Sequence, residues 1–205
     1  MNLPTREHCF ELFKEYHTPN NVIAHCKMAS KCAVALARKL IGKGVDVNVE
    51  LVERASLLHD LLRVCDFRNF ERDSLNVSDE EYNALKNIRK KFKDKSHEEA
   101  CCGILRNKYP ELALTVKRHH IDYMLSKDNK PKTWEEKLVH YADKRVMHDK
   151  IVSLKERFED GKKRNMLIIN KNLTKRALAE KQIYKLEEEL FNKIEFSPAM
   201  LETLI

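Results

Sequence analysis

Glycine and proline are scarce in this sequence of 205 residues, which contains four glycines and five prolines. Because these two residues form many of the tight turns in proteins, their scarcity argues against a fold built from short β-hairpins. Lysine, glutamate, leucine and alanine, which favour helices, are abundant instead. The composition predicts an all-α fold, and the length predicts one medium domain or one domain with an appendage.

Long apolar segments are also missing. No run of about 18 apolar residues, the length that spans a bilayer, occurs in the sequence. Residues 1–16 contain no apolar stretch of the kind that directs secretion. We therefore expect a cytoplasmic protein that has no membrane partner.

Closely spaced cysteine pairs are missing as well. The six cysteines include no Cys-x-x-Cys motif, and most of them fall on the apolar stripes of predicted helices. Buried, reduced thiols fit this distribution better than a disulfide framework or a zinc knuckle does.

The sequence has no excess of acidic residues. Its 39 lysines and arginines exceed its 32 aspartates and glutamates, which gives a net charge of +7. Such a charge attracts nucleic acids and small anionic substrates alike. An ordinary densely charged surface has the same balance, so the charge leaves the class of partner open.

Helical signals follow one another through most of the chain. Apolar residues recur at helical spacing over 22–40 and over 51–62. Pro110 is expected to begin a further helix that continues to Tyr123. Capping boxes, in which a hydroxyl and a glutamate satisfy free backbone amides at a helix start, begin at Ser78, Ser96 and Thr133.

The last part of the chain has a helical pattern of its own. From Asn165 to Ile194, apolar residues recur at roughly helical intervals with charges between them. This pattern predicts a long amphipathic C-terminal helix that packs on the protein's own core or on a partner. We therefore divide the chain into a core domain over 1–164 and a helical extension over 165–205, and expect a monomer or a homodimer.

A His–Asp pair interrupts an apolar helical stretch, since residues 57–62 read Leu-Leu-His-Asp-Leu-Leu. A carboxylate buried at this position is unfavourable unless its charge is compensated. A metal ion would compensate Asp60, and imidazole with carboxylate suits Fe, Mn, Co, Ni or Zn. A buried hydrogen bond or salt bridge between His59 and Asp60 is the alternative that an isolated pair would favour.

The pair is accompanied by other candidate ligands. His25 precedes it in AHCKMASKCAVALA, and Asp143 follows it in VHYADKRV. With ASLLHDLLR, these segments resemble the H…HD…D signature of the HD-domain superfamily of metal-dependent phosphohydrolases, over roughly residues 18–160. The resemblance implies an HD-domain helical bundle in which His25, His59, Asp60 and Asp143 bind a divalent metal.

Two more histidines resemble those of the superfamily's binuclear members. His97 in SHEEACCGIL and His119 in VKRHH lie where these members have the ligands of a second ion, with Asp60 bridging the two metals. His120 could take the place of His119, because adjacent residues of a helix point about 100° apart. The resemblance implies one or two divalent ions, with Fe, Mn, Co, Ni, Zn and Mg as candidates.

Hydrolysis of a phosphate ester is the chemistry that such a site supports. Two ions about 3.5–4 Å apart can hold a bridging hydroxide as the nucleophile and polarise a phosphoryl oxygen. Arg63 follows Asp60 by three residues and Lys144 directly follows Asp143, so both could bind phosphate oxygens. We therefore expect Asp60, Arg63 and Lys144 to act in catalysis.

The basic side chain of Arg63 helps to decide which subgroup of the superfamily the sequence resembles. The single-metal nucleotidases and the guanosine-polyphosphate hydrolases usually have an acidic residue at this spacing. The local sequence resembles HDIGK-like and HDYAK-like forms and the uncharacterised predicted HD hydrolases. The resemblance implies hydrolysis of a phosphomonoester or phosphoanhydride, with a small phosphorylated molecule, a nucleotide, as the expected substrate.

Two other functions fit the same sequence. A helical protein that binds nucleic acid or another partner, with a vestigial HD site, would use the basic residues around 86–95 and the C-terminal helix. A di-iron oxygenase would use the same fold and the same ligands. Retention of metal and loss of activity in His59→Ala would distinguish a hydrolase from a binding protein, and the redox behaviour of the metal would identify an oxygenase.

Overall fold

Helices make up nearly all of the regular structure in the computed structural model, which describes residues 1–164 and 173–205. The α-helices are α1 (Arg6–Glu15), α2 (Asn20–Ile41), α3 (Val49–Leu58), α4 (Arg72–Leu75), α5 (Asp79–Lys91), α6 (His97–Leu105), α7 (Pro110–Lys117), α8 (Trp134–Arg145), α9 (Leu154–Arg164) and α10 (Leu173–Ile194). Short 3₁₀ helices occupy Arg63–Asp66, Ile121–Leu125 and Pro198–Leu204, and an antiparallel hairpin pairs β1 (Val146–Met147) with β2 (Lys150–Ile151). No helix in the described ranges is both long and apolar enough to cross a membrane. The predicted all-α fold with a long C-terminal helix is confirmed.

Each predicted capping box begins a helix. Ser78 begins α5, Ser96 begins α6 and Thr133 begins α8, and in every case the hydroxyl and the glutamate three residues later accept each other's backbone amide. Asn48 caps α3, where its side chain accepts the amide of Leu51 at 3.0 Å. These caps fix the starts of α3, α6 and α8, the helices that carry or precede four of the candidate ligands.

The helix that begins at Pro110 is shorter than predicted. The prediction that it continues to Tyr123 is wrong, because α7 ends at Lys117. His120 has an extended backbone (φ −60°, ψ 133°), and its Nδ1 accepts the amide of Asp122 at 3.2 Å. This side-chain cap starts a separate 3₁₀ helix, so the two adjacent histidines lie in a link between helices.

Two clusters of buried apolar side chains form the core. The first joins α1, α3, α6 and α7 and includes Leu57, Leu61 and Leu112. The second joins α2, α8, α9 and α10 and includes Leu36 and Tyr141. Because α2 packs against both α3 and α8, the elements that carry the candidate ligands come from both clusters.

The C-terminal helix α10 packs on the core of its own chain. Tyr141 on α8 donates a hydrogen bond of 2.5 Å to Glu187, and Arg145 donates to the same carboxylate at 3.1 Å. The apolar stripe of α10 is at most 5% exposed and consists of Ile183, Leu186, Leu190 and Ile194. The described part of the helix therefore belongs to the second core cluster.

The domain boundary predicted at residue 165 lies outside the described residues, because 165–172 are not described. The division into 1–164 and 165–205 stays a prediction. The described residues of the extension share their apolar core with α2 and α8.

The packing of α10 predicts a difference between two leucine-sized residues on this helix. Ile183→Ala should lower the free energy of unfolding by about 2–5 kcal/mol, because Ile183 is fully buried and its loss leaves a cavity. Leu178→Ala is the control and should change it by less than about 0.5 kcal/mol, because Leu178 is 50% exposed. Chemical denaturation measures both values. Equal effects would contradict the packing of α10 described here.

Candidate metal centre

The six positions predicted to bind metal converge in the folded chain. α2 carries His25, and α8 carries Asp143. The other four lie at helix ends: His59 and Asp60 directly after α3, His97 at the start of α6 and His119 just after α7. Their side chains are 0–12% exposed. The site therefore combines five segments that are distant in sequence and exists only when the chain is folded.

One part of the site lies between α2, α3 and α8. His25 Nε2 lies 3.1 Å from Asp143 Oδ1, and His59 Nε2 lies 3.7 Å from the same oxygen. His59 Nε2 is also 3.8 Å from Asp60 Oδ2. Ligand atoms of His25, His59 and Asp60 lie close enough to share one cation, and so do those of His59, His119 and Asp143.

The other part of the site lies where α6 and α7 meet the end of α3. His97 Nε2 is 2.9 Å and His119 Nε2 is 3.5 Å from Asp60 Oδ1. Asp60 thus presents one oxygen to His59 and the other to His97 and His119. This arrangement places the carboxylate of Asp60 between the two sets of histidines.

Backbone carbonyls orient three of the candidate histidines by accepting a hydrogen bond from Nδ1, the ring nitrogen that points away from the carboxylates. Nδ1 of His59 lies 2.7 Å from the carbonyl of Ser56, and Nδ1 of His119 lies 2.5 Å from that of Val116. Because a carbonyl only accepts, Nδ1 of each ring carries a proton, which leaves Nε2 as the nitrogen that can bind a metal. His25 follows the same rule, with its Nδ1 3.1 Å from the carbonyl of residue 148 in the β1–β2 turn. Metal-binding histidines are commonly oriented in this way.

The inner nitrogens fit a cation better than they fit one another. His59 Nε2 is buried and has no hydrogen-bond partner among the described residues. His97 Nε2 and His119 Nε2 lie 3.1 Å apart, so two nitrogens that would both offer lone pairs face each other. A divalent ion would satisfy these lone pairs, so the residues present fit a metal.

Both central carboxylates are held in the charged form. Burial alone would raise the pKa of Asp60, but His59 and Arg63 hold that pKa well below its usual range. Burial would likewise raise the pKa of Asp143, and Lys144 with neighbouring histidines holds it well below the usual range. Ionised carboxylates are the form that binds divalent metals.

The two adjacent histidines after α7 occupy different environments. The side chain of His119 is 3% exposed and faces Asp60, whereas that of His120 is 34% exposed. His120 packs beside Tyr123, and its Nε2 lies 3.9 Å from Glu98 Oε1. Of the two alternatives, the geometry favours His119 as the ligand and leaves His120 at the rim.

The family model of the HD domain matches residues 22–147, which is more than half of the chain. This protein belongs to the HD domain family. HD domains bind divalent metals, and the family suggests a metal-dependent hydrolase. The matched range includes all six candidate ligands.

Further comparisons give one curated relative and no solved structure. The chain is 28% identical over 188 residues to a tRNA (cytidine(56)-2'-O)-methyltransferase of Picrophilus torridus. That match covers 92% of this chain and 47% of the relative, so the chain spans about half the length of the curated protein it matches. No solved structure matches.

The two basic residues predicted to contact phosphate differ in exposure. The side chain of Arg63 is 39% exposed, and its Nε lies 3.9 Å from Asp60 Oδ2. Lys144 is buried, and its Nζ contacts Asp143 and donates to the carbonyl of His119 at 3.3 Å. Arg63 therefore lies at the edge of the HD site, whereas Lys144 connects two of its ligand segments.

Two acidic residues of the site were not found from the sequence. Asp66 accepts a hydrogen bond from Nδ1 of His97, and Glu98 Oε2 lies 3.2 Å from the same nitrogen. Glu98 is 3% exposed, and Oε2 has no hydrogen-bond partner among the described residues. The sequence did contain a signal, because the capping box at Ser96 uses Glu99 and leaves the adjacent glutamate unexplained.

A row of buried polar residues on α8 holds the segment that carries His119. Glu136 accepts a hydrogen bond from Arg118 Nη1 at 2.5 Å, and His140 Nδ1 lies 3.3 Å from the Arg118 carbonyl. Lys144, one turn further along, bonds the next carbonyl, that of His119. These three residues are spaced four apart, so they lie on one face of α8. They join the His119 segment to the helix that carries Asp143.

The geometry predicts that His119 and His120 differ in metal binding. His119→Ala should lower the metal content of the purified protein by about one equivalent, because it removes an inward-facing nitrogen. His120→Ala, the matched control, should retain the wild-type content. Elemental analysis gives both values. Loss of metal in the His120 variant alone would show that His120, and not His119, is the ligand.

The buried His140 predicts an acid-dependent loss of stability. Burial holds the pKa of His140 well below its usual range, so the folded protein keeps it neutral while the unfolded chain binds a proton below about pH 6.5. Its contribution to stability is therefore complete above that pH and declines as the pH falls. His140→Asn retains a donor but does not titrate.

Denaturant unfolding of metal-free protein at pH 8 and pH 5 tests this. The free energy of unfolding should fall less in His140→Asn than in the wild type over that interval. An equal fall in both proteins would show that His140 does not contribute to the acid response.

Proposed function

We propose that this HD domain is a metal-dependent phosphohydrolase that cleaves a phosphomonoester or phosphoanhydride, with a nucleotide as substrate. One observation carries the proposal. Four imidazoles direct Nε2 toward two ionised carboxylates, while hydrogen bonds occupy their Nδ1 atoms. Such a set of buried polar groups needs a cation, and it suits hydrolysis better than it suits a passive structural role.

The proposed ligands form two sets that share Asp60. His25, His59 and Asp143 would hold one ion with Asp60, and His97 with His119 would hold a second. Nitrogen and oxygen donors of this kind suit Fe, Mn, Co, Ni or Zn, and Mg remains a candidate. Ions bound there would supply Lewis-acid polarisation of a phosphoryl oxygen and would activate water for attack.

The chain's own residues have distinct proposed roles. Arg63, partly exposed beside Asp60, binds a phosphate oxygen and stabilises the charge that grows there, because its guanidinium offers two parallel donors. Lys144 neutralises Asp143 and, through its hydrogen bond to the His119 carbonyl, keeps His119 near Asp143. Asp66 orients His97 through its Nδ1 atom, and the buried carboxylate of Glu98 lies beside the same ring. In this proposal Lys144 acts on the ligands rather than on the substrate.

A second candidate function is nucleic-acid binding with a vestigial HD site. The curated relative is a tRNA methyltransferase by name, and this chain matches about half of it. The imidazoles and carboxylates of the HD site are the donors that metals prefer, which favours hydrolysis over methyl transfer for this chain.

The first experiment is a metal analysis combined with an activity screen. Protein purified without chelator should contain about two transition-metal equivalents and release phosphate from nucleotides, dinucleoside polyphosphates or an aryl phosphate. His59→Ala should lose metal and activity together. No metal and no turnover after reconstitution with Mn, Fe, Co, Ni or Mg would overturn the proposal, and metal-dependent oxidation would indicate an oxygenase.

Arg63 gives a sharper test of the substrate contact. Arg63→Ala should lower kcat/KM by about 10- to 100-fold, since a charge-assisted hydrogen bond contributes about 1.5–3 kcal/mol. Arg63→Lys keeps the charge but loses the planar guanidinium, so its kcat/KM should lie between those of the wild type and Arg63→Ala. Arg106→Ala, at an exposed position after α6, is the control. Unchanged kinetics in Arg63→Ala would remove Arg63 from the site.

A further inference from the structure

The end of α5 and the turn after it form a strongly basic segment, residues 86–95. These ten residues contain six cations and one acid, Asp94, within a chain whose net charge is +7. Five of the cations are exposed on the surface. The cations of the segment are Lys86, Arg89, Lys90, Lys91, Lys93 and Lys95.

These cations are not neutralised by the protein. Among the described residues, no carboxylate lies within ion-pair distance of any of the six, although Lys43, Lys137 and Lys175 elsewhere on the surface do form ion pairs. Aromatic rings hold some of them instead. Lys86 lies 4.7 Å from the ring centroid of Tyr82, and Arg89 lies 4.4 Å from that of Phe70. A ring orders a cation without cancelling its charge, so the charge stays available to an anion.

The basic segment is connected to two segments of the metal centre, to one by hydrogen bonds and to the other through the chain itself. Arg89 Nη1 donates to the carbonyls of Val64 and Phe67, at 2.8 Å each, and so fixes α5 to the 3₁₀ helix that begins at Arg63. The segment then leads directly to Ser96, the cap of α6, and to His97. The segment is therefore fixed to the 3₁₀ helix that begins at Arg63 and is continuous in sequence with His97.

We infer that residues 86–95 bind the phosphate backbone of a single-stranded nucleic acid and bring part of that strand to the metal centre. The delivery of the strand to the metal centre rests on the proposed function. The binding of the phosphate backbone by residues 86–95 does not depend on that function. A mononucleotide would place its phosphates at Arg63 and leave most of these cations unused. A polyanionic chain would contact several of them together, as proteins that bind single strands do.

Salt dependence tests this binding without metal. The probe is a short fluorescein-labelled oligouridine, with oligothymidine of equal length, titrated with EDTA-treated protein at several salt concentrations. For single strands, each lost phosphate contact reduces the slope of log affinity against log salt by about 0.7. The triple variant Lys90→Gln, Lys91→Gln, Lys93→Gln should therefore reduce the slope by about 2 and weaken binding at least about tenfold at moderate salt.

A second triple variant controls for net charge. Lys181→Gln, Lys185→Gln, Lys193→Gln removes the same charge from exposed positions of α10 and should leave the slope as in the wild type. Equal losses in both triple variants, no loss in either, or binding only to anionic lipid vesicles would overturn the inference. Binding of either nucleic acid with a slope that depends on the basic segment supports it.

Turnover of an aryl phosphate separates this inference from the proposed function. Both triple variants should retain wild-type turnover, because their lysines do not contact the ligands of the HD site. An absence of turnover in the wild type would remove the hydrolase proposal, while the salt slopes would still decide whether residues 86–95 bind nucleic acid.

Discussion

The buried charge of Asp60 is the constraint on which the rest of the site depends. An ionised carboxylate in an apolar environment is unfavourable unless positive groups compensate it. Here one oxygen of Asp60 faces His59, and the other faces His97 and His119. The surrounding apolar side chains, Leu57, Leu58, Leu61 and Leu62, are at most 1% exposed and exclude water. The compensation therefore comes from the neighbouring side chains and, in the proposed function, from bound cations.

Helix ends provide the geometry that this compensation requires. His59 is the C-cap of α3, His97 is the first residue of α6, and His119 follows the last turn of α7. At these positions nearby carbonyls or carboxylates can accept from Nδ1, as they do for all three rings. The hydrogen bonds that end or flank the helices thus also direct each Nε2 to the centre.

The fold connects this centre to its surroundings through polar contacts. The row of Glu136, His140 and Lys144 joins the His119 segment to α8. Arg89 joins α5 to the segment after Asp60. Because the HD family match ends at residue 147, α9 and α10 lie beyond it, yet they share the core cluster of α2 and α8. Metal site, basic segment and C-terminal helix are thus parts of one packed structure.

Local patterns in the sequence were sufficient for the helical class, for the starts of α5, α6 and α8, and for proposing six candidate ligands that the fold brings together. Capping boxes and helical periodicity involve residues only a few positions apart, so their outcome is already encoded locally. The order of His25, His59, Asp60 and Asp143 identified the HD family for the same reason, since its motif can be read along the chain.

Contacts between distant segments decided the rest. The choice between His119 and His120 depended on the end of α7. There the Asp122 amide donates to the His120 ring, and Lys144 of α8 donates to the His119 carbonyl, so the predicted helix does not continue. The burial of Lys144 and Glu98 likewise depended on neighbours from other helices. A side chain's direction at a helix end is set by partners that the local sequence does not contain, so only the tertiary structure determined which polar groups face the metal centre.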